Sequence, residues 1–446
     1  MHKLDIKLID YVIYNYYLLY NSISTDSRNI NDKCIFFALK GKKFDGNQFA
    51  EIAIKKGAAI AVVDNYSIYI KNNNFFLVEN VLLCLQKCAL IHRRRLSKVK
   101  IIAITGSNGK TSTKNLLYEI LKTKYKVISS YKNYNNEIGV PLSILRMKKN
   151  TEIGIIEMGA KQKNDIYYLC NIVNPQYGLI TNIGISHIQY FKSKLNILLT
   201  KIELFKYIIN NNGFLFINNN VKYLIKNFSY YEKKIIYGSY YIDNTNIIGY
   251  WKYINNIKLF EWYKNNLNND IAKNTIKVNL WGSYNIENII ATISVGTFFC
   301  ISDKIINNTI TNYKSNDNRS QLINTENNNI VLDAYNANPN SVLSSIYSFY
   351  KENYINKIII LGNMNELGSF SERYHKLIIN ILSKINVRSF LIGDFFYDLK
   401  CNYSNIFFFK NKSIFINFMS KNNFKGNNIL IKGSRSMALE TLIKYL

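Results

Sequence analysis

The feature that most constrains this chain is a glycine-rich turn between an apolar run and an amphipathic segment. Ile101–Ile104 has the composition of a buried strand, and the turn 105–112, Thr-Gly-Ser-Asn-Gly-Lys-Thr-Ser, follows it directly. Apolar residues then recur at helical spacing within 113–125. A P-loop requires this strand–turn–helix context, because backbone N–H groups at the helix N-terminus can cradle phosphates. The sequence therefore predicts an ATP-binding domain built on a parallel sheet.

The turn departs from the general P-loop signature at one position. That signature places a glycine five residues before the second glycine, where this chain has Ile104, so only the shorter Gly-Ser-Asn-Gly-Lys-Thr remains. A plain glycine-rich turn is the alternative, and the Lys-Thr pair argues against it. We expect Lys110 to reach the β and γ phosphates and the Thr111 hydroxyl to hold Mg²⁺. The predicted cofactor-binding residues here are Gly106, Ser107, Asn108, Gly109, Lys110, Thr111 and Ser112.

Length and periodicity indicate several α/β domains. A chain of 446 residues fits two or three domains of about 100–200 residues each. We predict domains at 1–97, 98–313 and 314–446, with a linker at Arg93–Lys98. The segment 218–277 has weak periodicity and is interpreted as short antiparallel strands and loops. The predicted strands are Cys34–Leu39, Ala58–Val63, Ile101–Ile104, Ile153–Met158, Gly178–Gly184, Ile330–Leu332, Ile358–Leu361, Phe390–Ile392 and Ile429–Ile431, and the predicted helices include Ala50–Lys56, Thr113–Tyr125 and Val342–Phe349.

Charge and cysteine content bear on partners and compartment. The net charge of +28 would suit a nucleic-acid or membrane-surface protein. However, the basic residues are dispersed, and 35 Tyr against 3 Pro is the skew that an AT-rich genome imposes, so we expect no nucleic-acid partner. Six scattered Cys without a Cys-x-x-Cys pair argue against a zinc site and for a reducing cytoplasm. We also expect no secretory signal and no membrane insertion, since no run of about 18 apolar residues occurs.

Three further residues and one loop carry candidate chemistry. Glu157 ends one predicted strand and His187 follows the next, so both would lie at the sheet edge that carries the P-loop and could ligate Mg²⁺. A surface or capping role is the alternative for each. Lys201 opens a helix-like segment and, alone, is a solvated lysine by default. Residues 333–339, Asp-Ala-Tyr-Asn-Ala-Asn-Pro, suit both an N-capped turn and a ligand loop.

Together these motifs resemble the Mur ligases, the cytoplasmic amide-forming enzymes of peptidoglycan synthesis. The resemblance covers nearly the whole chain, and it includes a P-loop variant that lacks the glycine at 104. It implies a three-domain α/β architecture: an N-terminal αβ UDP-binding domain, a central P-loop ATPase domain with a parallel sheet, and a C-terminal Rossmann-like domain for the incoming dipeptide. The matching blocks are Thr25–Arg28, Ala38–Gly41, Phe44–Gly46, Gly106–Thr111, Asn133–Pro141, Glu157–Ala160, Asp333–Pro339, Leu361–Gly368 and Lys432–Arg435.

The resemblance also implies roles for individual residues. Lys110, Glu157, His187 and Lys201 would act in catalysis, and Thr111, Glu157, His187 and Lys201 would hold metal, with Lys201 carbamylated by CO₂. Asn285 and Arg319 would join the P-loop in binding ATP. The expected substrate-binding residues are Ser27, Arg28, Asp45, Asn135, Asn136, Asp333, Tyr335, Asn336, Asn338, Lys432, Ser434 and Arg435.

The loop 335–339, Tyr-Asn-Ala-Asn-Pro, is typical of the family member that adds D-alanyl-D-alanine. The expected reaction forms an acyl phosphate on UDP-N-acetylmuramoyl-tripeptide, which the dipeptide amine captures; the enzyme is expected to be a monomer. The alternatives are a sister Mur ligase that adds a single amino acid, a folylpolyglutamate synthase-like ligase and, more remotely, a nucleic-acid-associated P-loop ATPase. Four positions depart from the family pattern: Asn47, Tyr284 and Asn363 replace His, His and Asp, and Arg319 lacks a preceding Pro-Gly.

Overall fold

The computed structural model describes residues 6–254, 257–265, 273–422 and 424–446. Within these residues the chain forms three sheets, each rich in parallel pairs and each accompanied by helices. Strands and helices are numbered below in chain order. None of the helices in the described ranges is long and apolar enough to cross a membrane.

The first sheet has four parallel strands in the order β1-β2-β3-β4. Small and apolar side chains fill its core, among them Phe36, Ala53 and Ala61, all buried. The elements are α1 (Ile6–Tyr20), β1 (Ile23–Ser24), β2 (Ile35–Phe37), α2 (Ala50–Lys55), β3 (Ile60–Val63), α3 (Tyr66–Tyr69), β4 (Phe75–Leu77) and α4 (Val81–Arg95).

The predicted linker at Arg93–Lys98 is wrong in its first half. Arg93 lies in the last turn of α4 and is only 3% exposed. Its guanidinium donates hydrogen bonds to the carbonyl oxygens of Val173 and Asn174, so the charge is satisfied inside the structure. The run of three arginines therefore ends a helix instead of forming a linker, and the helix dipole favours cations at that C-terminus.

The second sheet has nine strands in the order β13-β12-β11-β10-β9-β8-β5-β7-β6. Strands β8 to β11 pair in parallel, as do β6 and β7, and β11, β12 and β13 are antiparallel. The elements are β5 (Lys100–Thr105), α5 (Lys110–Leu121), β6 (Val127–Ser129), α6 (Gly139–Leu145), β7 (Ile153–Glu157), α7 (Asp165–Val173), β8 (Tyr177–Ile180), α8 (Ile188–Phe191), α9 (Lys194–Lys201), α10 (Glu203–Asn210), β9 (Phe214–Asn218), α11 (Lys222–Phe228), β10 (Lys234–Gly238), β11 (Ile247–Ile254), β12 (Ile257–Lys264), β13 (Lys273–Ile276), α12 (Asn285–Phe298) and α13 (Asp303–Asn312).

The prediction for 218–277 holds for β11 to β13 and is wrong before them. α11 is a helix, and β10 pairs in parallel with both neighbours. Lys222, Lys226 and Asn227 interrupt the apolar pattern of the seven-residue helix α11, in which Leu224 and Phe228 are buried. Residues 255–256 and 266–272 of this segment lie outside the described ranges. The prediction that Lys201 opens a helix is also wrong, because Lys201 is the last residue of α9.

The third sheet has six strands in the order β14-β15-β19-β16-β17-β18, parallel except for β14. Its core is aromatic on one side, where Phe390, Phe409 and Phe415 pack together. The elements are β14 (Gln321–Asn324), β15 (Asn328–Asp333), α14 (Pro339–Lys351), β16 (Lys357–Gly362), α15 (Ser371–Leu382), β17 (Arg388–Ile392), α16 (Asp394–Tyr397), β18 (Ile406–Phe409), α17 (Lys412–Ser420) and β19 (Asn427–Lys432).

The chain divides into two compact units. The first takes in Met1–Ala103, Tyr125–Gly159 and Tyr167–Gln176, and the second takes in Ile104–Lys124, Ala160–Ile166 and Tyr177–Leu446. The P-loop and the whole third sheet therefore belong to one unit. These units are larger than the predicted domains, whose boundaries at 97/98 and 313/314 stay a prediction.

Candidate active site

The P-loop geometry explains its two glycines. Gly106 has φ +143° and Gly109 has φ +80°, conformations that other residues rarely adopt. A Cβ at Gly106 would lie 2.0 Å from Thr181 Oγ1, and one at Gly109 would lie 2.3 Å from Asn288 Oδ1. Both positions thus exclude any side chain, and the backbone is left open at the start of α5.

Residues that follow β8 hold the turn in place. Ser107 N donates to Asn182 O at 3.0 Å, and Ser107 Oγ donates to Gly184 O at 2.7 Å. Asn108 N donates to Asn182 Oδ1 at 3.0 Å, and Thr181 Oγ1 donates to Asn108 O at 2.6 Å. The loop is therefore preorganised by its neighbour strand before any ligand arrives.

The charge and dipole of this cradle suit a polyphosphate. Lys110 is the first residue of the 12-residue helix α5, and its Nζ donates to Gly106 O at 2.6 Å and Ser107 O at 3.2 Å. Thr111 is buried and Ser112 is half-buried in the same first turn. A helix N-terminus with a lysine folded over it is an anion site, so these residues fit ATP phosphates.

Lys201 lies buried at the C-terminus of α9, only 1% exposed. Burial, reinforced by the nearby positive charge of Lys110, lowers the pKa of Lys201 from 10.5 to about 7. Its Nζ lies 5.7 Å from the centre of the Phe191 ring. At neutral pH, Lys201 is therefore an uncharged amine in a substantial fraction of the molecules. The residue type alone predicted a solvated lysine.

His187 meets a carboxylate that received no role in the sequence analysis. Its Nδ1 lies 2.6 Å from Glu366 Oε2, and the ring N–H is not aligned on that oxygen, so the contact is primarily electrostatic. The neighbouring imidazole lowers the pKa of Glu366 below its usual value. Glu366 lies in the motif Leu361–Gly368, and sequence offered no signal that it would approach His187.

Glu157 belongs to the first compact unit, where its partner is Asn135. It is the last residue of β7 and is 1% exposed. Asn135 Nδ2 donates to Glu157 Oε1 at 2.8 Å, and Asn136 Oδ1 accepts from Gly139 N at 2.9 Å at the start of α6. The asparagine-rich loop thus orients the predicted metal-binding carboxylate.

Asp333, at the end of β15, is the centre of a buried network. Lys432 Nζ lies 2.6 Å from Asp333 Oδ2, and that same oxygen accepts from Ser345 Oγ at 2.9 Å and Tyr284 Oη at 3.2 Å. Burial, with Asp333 beside it, raises the pKa of Tyr284 well above its usual value, so the phenol stays protonated. Tyr284, one of the departures, therefore acts as a hydrogen-bond donor here.

The network continues toward the P-loop through α12. Asn285 Nδ2 donates to Ser320 Oγ at 3.3 Å, and Asn288 Nδ2 donates to Asn285 Oδ1 at 2.9 Å. Thr113 Oγ1, in α5, donates to Asn288 Oδ1 at 3.1 Å. Asn285 is therefore fixed between the predicted ATP loop and the Asp333 cluster.

The loop 335–339 reaches the P-loop directly. Asn338 caps α14 through a reciprocal hydrogen bond with Ser341, which confirms the N-capped turn. Its Nδ2 also donates to Asn108 Oδ1 at 2.7 Å. Arg319 stacks on Tyr335, with 3.5 Å from the guanidinium carbon to the ring centre. Asn336 O accepts from Lys432 Nζ at 3.3 Å.

The remaining C-terminal candidates make local contacts. Ser434 Oγ accepts from Asn365 N at 2.8 Å, and Arg435 pairs with Glu440. Asn363 Oδ1 is buried and accepts no hydrogen bond from the residues that the structure describes. The replacement of Asp by Asn there avoids burying an unpaired charge.

In the first unit, the hydrogen bonds of Asn47 explain why it stands where the family usually has His. Its Nδ2 donates to Asp45 Oδ1 at 2.7 Å and Asp64 Oδ1 at 2.8 Å, and its Oδ1 accepts from Asp64 N. Burial alone would raise the pKa of Asp64, but Lys40 and Asn47 lower it, so the carboxylate stays charged. One amide thus joins the loop at Asp45 to the end of β3 through two donated hydrogen bonds and one accepted, whereas a neutral imidazole has one donor and one acceptor.

The other two candidates of the first unit lie on one exposed turn. Arg28 forms an ion pair with Asp26 at 2.7 Å, and Ser27 O accepts from Lys56 Nζ at 2.9 Å. The Arg28 side chain is 86% exposed. Both residues are therefore accessible to a ligand.

Within the described ranges, no three His, Cys, Asp or Glu side chains come close enough to hold a metal ion by themselves. A divalent cation here would need other oxygen ligands. Mg²⁺ commonly takes one or two carboxylates plus substrate phosphates, so the Thr111 hydroxyl in the first turn of α5, next to the phosphate cradle, fits that cation.

Two family descriptions match this chain. Residues 104–296 match the Mur ligase middle domain, and residues 19–82 match the Mur ligase family catalytic domain. UDP-N-acetylmuramoyl-tripeptide–D-alanyl-D-alanine ligase of Bacillus subtilis is 31% identical over 96% of this chain and 93% of its own length. The chain belongs to the Mur ligase family. The resemblance predicted from the motifs is confirmed.

Solved Mur ligases share the fold. MurF from Acinetobacter baumannii aligns over 95% of this chain and 92% of its own, with TM-score 0.83 and 24% identity. MurF from Thermotoga maritima, solved in complex with ADP, aligns over 96% of this chain and 97% of its own, with TM-score 0.82 and 26% identity. The predicted three-domain α/β architecture of a Mur ligase is therefore confirmed.

Proposed function

We propose that this Mur ligase joins D-alanyl-D-alanine to UDP-N-acetylmuramoyl-tripeptide at the expense of ATP, in peptidoglycan precursor synthesis. The observation that carries the proposal is the loop 335–339, in the form typical of the dipeptide-adding member, hydrogen-bonded to the P-loop through Asn338 and Asn108. The name of the full-length Bacillus subtilis relative supports the same substrates. The ADP complex of the Thermotoga maritima relative supports ATP as the phosphoryl donor.

The chemistry proceeds in two displacements. A carboxylate oxygen of the tripeptide attacks the γ-phosphorus of ATP, the bond between γ-phosphorus and the bridging oxygen breaks, and ADP leaves. The free amine of the dipeptide then attacks the acyl carbon, and the carbon–oxygen bond to phosphate breaks. Loss of a proton from the amine completes the amide. Lys110 and the N-terminus of α5 stabilise the negative charge that spreads over the transferring phosphoryl.

The proposed metal ligands are Thr111, Glu157, His187 and carbamylated Lys201. Mg²⁺, when bound, would neutralise phosphate charge and act as a Lewis acid. Asn135 supports this role for Glu157, because it fixes the carboxylate through Oε1. Asn285 and Arg319 would complete the nucleotide site.

The substrates would divide between the predicted domains. Ser27, Arg28 and Asp45 would bind the UDP end in domain 1–97, and domain 314–446 would bind the dipeptide. Asn135 and Asn136, on the loop beside Glu157, would contact the tripeptide. The dipeptide ligands would be Asp333, Tyr335, Asn336, Asn338, Lys432, Ser434 and Arg435. We further propose a monomer that acts in the cytoplasm, and the six cysteines, all free thiols, suit a reducing compartment.

One assay separates this proposal from its alternatives. Phosphate release and amide product are measured with ATP and Mg²⁺, adding the tripeptide acceptor, D-alanyl-D-alanine, single amino acids, folate with glutamate, or nucleic acid. We expect release and product only when acceptor and dipeptide are both present. Amide formation with a single amino acid would establish a sister ligase, and stimulation by nucleic acid without product would overturn ligation.

Lys201 is proposed to react with CO₂, which forms a nitrogen–carbon bond and releases a proton. Only the neutral amine is the nucleophile, and its depressed pKa supplies that form. With a pKa of about 7, the neutral fraction rises from roughly 10% at pH 6 to roughly 90% at pH 8. Activity in CO₂-equilibrated buffer should therefore rise with pH across this interval, because both the neutral amine and carbamate formation, which releases a proton, are favoured at higher pH.

The matching variant is Lys201→Ala. We expect a loss of activity that short carboxylates such as acetate partly restore, because they can occupy the position of the carbamate. Electron density for the modified side chain in a crystal of the enzyme would establish it directly. Full activity of the alanine variant would exclude the role.

A further inference from the structure

The contact between His187 and Glu366 joins two loops that are 179 residues apart in sequence. His187 follows β8 and starts α8, while Glu366 follows β16. Besides the 2.6 Å approach of their side chains, Gln189 N donates to Glu366 O at 3.1 Å. Gly368 packs on Gln189, where a Cβ would come within 2.9 Å of the side chain. Side-chain and backbone contacts therefore fix the same pair of loops.

Both partners hold conformations that cost energy. His187 has φ +52° and Glu366 has φ +62°, in the left-handed region that a glutamate seldom adopts. Such conformations cost roughly 1–3 kcal/mol each and persist where surrounding contacts impose them. Because the backbone places the carboxylate against the ring, the contact is built into the loops rather than a chance meeting of surface side chains.

The contact matters because it determines which nitrogen of the imidazole carries the proton. A carboxylate at Nδ1 keeps the proton on that nitrogen and leaves Nε2 with the lone pair that a metal ion needs. Glu366 is suited to this because its Oε2 lies 2.6 Å from Nδ1 and the hydrogen bond from Gln189 N to Glu366 O holds its loop in place. The Asn135–Glu157 hydrogen bond supports another proposed ligand in the same manner.

We propose that Glu366 is a positioning residue that orients His187 so that Nε2 faces the divalent cation. The proposal rests on the metal-binding role of His187 within the proposed function. It assigns to the third sheet, through the loop after β16, a part in building the metal site of the P-loop region.

The experiment measures metal binding apart from catalysis. Mn²⁺ is titrated into the full-length enzyme with saturating ADP and no acceptor, and free Mn²⁺ is followed by electron paramagnetic resonance. Loss of an outer-shell partner typically weakens metal affinity about 10- to 100-fold, and we expect Glu366→Gln to fall in that range. The Mg²⁺ concentration for half-maximal amide formation should rise by a similar factor, with KM for D-alanyl-D-alanine unchanged.

The matched control is Glu372→Gln. Glu372 lies nearby in α15, is exposed, and pairs with Lys376, so its variant also removes one carboxylate–cation contact. It should bind Mn²⁺ like the wild type. Thermal unfolding of both variants checks that each is folded. If Glu366→Gln lowers the unfolding temperature but leaves Mn²⁺ affinity unchanged, Glu366 has a structural role only, and the proposal is overturned.

A double-mutant cycle with His187→Ala shows whether Glu366 acts through the imidazole. If it does, Glu366→Gln changes Mn²⁺ affinity in the wild type and has no further effect in the alanine background. Equal effects in both backgrounds, or normal Mn²⁺ binding by His187→Ala alone, would overturn the proposal. Absence of amide product from the wild type would refute the proposed function instead, and the Mn²⁺ titrations would still decide the role of Glu366.

Discussion

The P-loop and the loop 335–339 lie in contact, yet they are specified in different ways. In the P-loop, glycine conformations, the lysine and the helix N-terminus all come from residues 106–111. In the second loop, Asn338 Nδ2 donates to Asn108 Oδ1 across 230 residues of sequence. Next to it, in the first turn of α14, Asn340 Oδ1 accepts from Ile185 N across 155 residues. The phosphate cradle is therefore a local property of the sequence, whereas its connection to the loop 335–339 is a property of the fold.

The largest effect should come from the local region. Lys110→Ala removes the charge that faces the transferring phosphoryl, and loss of one such group typically costs about 100- to 1,000-fold in kcat. We expect that loss in the amide assay with little change in the unfolding temperature, since the Lys110 hydrogen bonds to Gly106 O and Ser107 O lie within the loop itself. Lys122→Ala is the control: it removes an exposed helix lysine that pairs with Glu119 and should leave kcat unchanged. An active Lys110→Ala enzyme would remove the P-loop from the chemistry.

Gly106→Ala tests whether the cradle depends on backbone shape. The new Cβ would meet Thr181 Oγ1, and a left-handed conformation costs an alanine roughly 1–3 kcal/mol. ATP affinity should fall by at least about tenfold, which corresponds to 1.4 kcal/mol. Gly426→Ala is the control that adds backbone strain without a steric clash, because Gly426 has φ +74° and open space around it. Both variants should lower the unfolding free energy, and only Gly106→Ala should weaken ATP in a calorimetric titration; equal ATP binding would contradict the cradle.

These two regions also mark what the sequence could supply. Strand runs such as Ile153–Met158 and the cap of α14 followed from local patterns, and the structure places them within a residue or two. The helix α11 was missed because asparagine and lysine obscure its apolar positions. Glu366 was missed for a different reason: its approach to His187 depends on how two separate sheets place their loops, and no local pattern encodes that distance.

Asn338→Ala addresses the long-range connection. The variant loses a helix cap, worth about 1 kcal/mol, and the hydrogen bond to Asn108. Asn411→Ala is the matched control, since Asn411 caps α17 by accepting a hydrogen bond from Ile414 N, as Asn338 does from Ser341 N at the start of α14. We expect similar losses of stability in chemical denaturation. KM for the dipeptide should rise only for Asn338→Ala, by several-fold, and a rise in neither would show that the loops act independently.

Tyr284→Phe should have the smallest effect and probes the other connection, from α12 to Asp333. The phenol donates to Asp333 Oδ2, which keeps Lys432 and Ser345 when the hydroxyl is removed, so no charge is left unpaired. The hydroxyl also forms a hydrogen bond with Ser320 Oγ at 2.7 Å, so the cost should be that of two ordinary hydrogen bonds, about 1 kcal/mol each. Tyr237→Phe offers the contrast, because the Tyr237 hydroxyl is buried without a hydrogen-bond partner among the described residues, and its removal should be neutral or stabilising. If both variants lose the same stability, the hydroxyl of Tyr284 does not hold Asp333. If Tyr284→Phe alone also weakens ATP binding, the network from Asn285 to Asp333 couples the nucleotide to the third sheet.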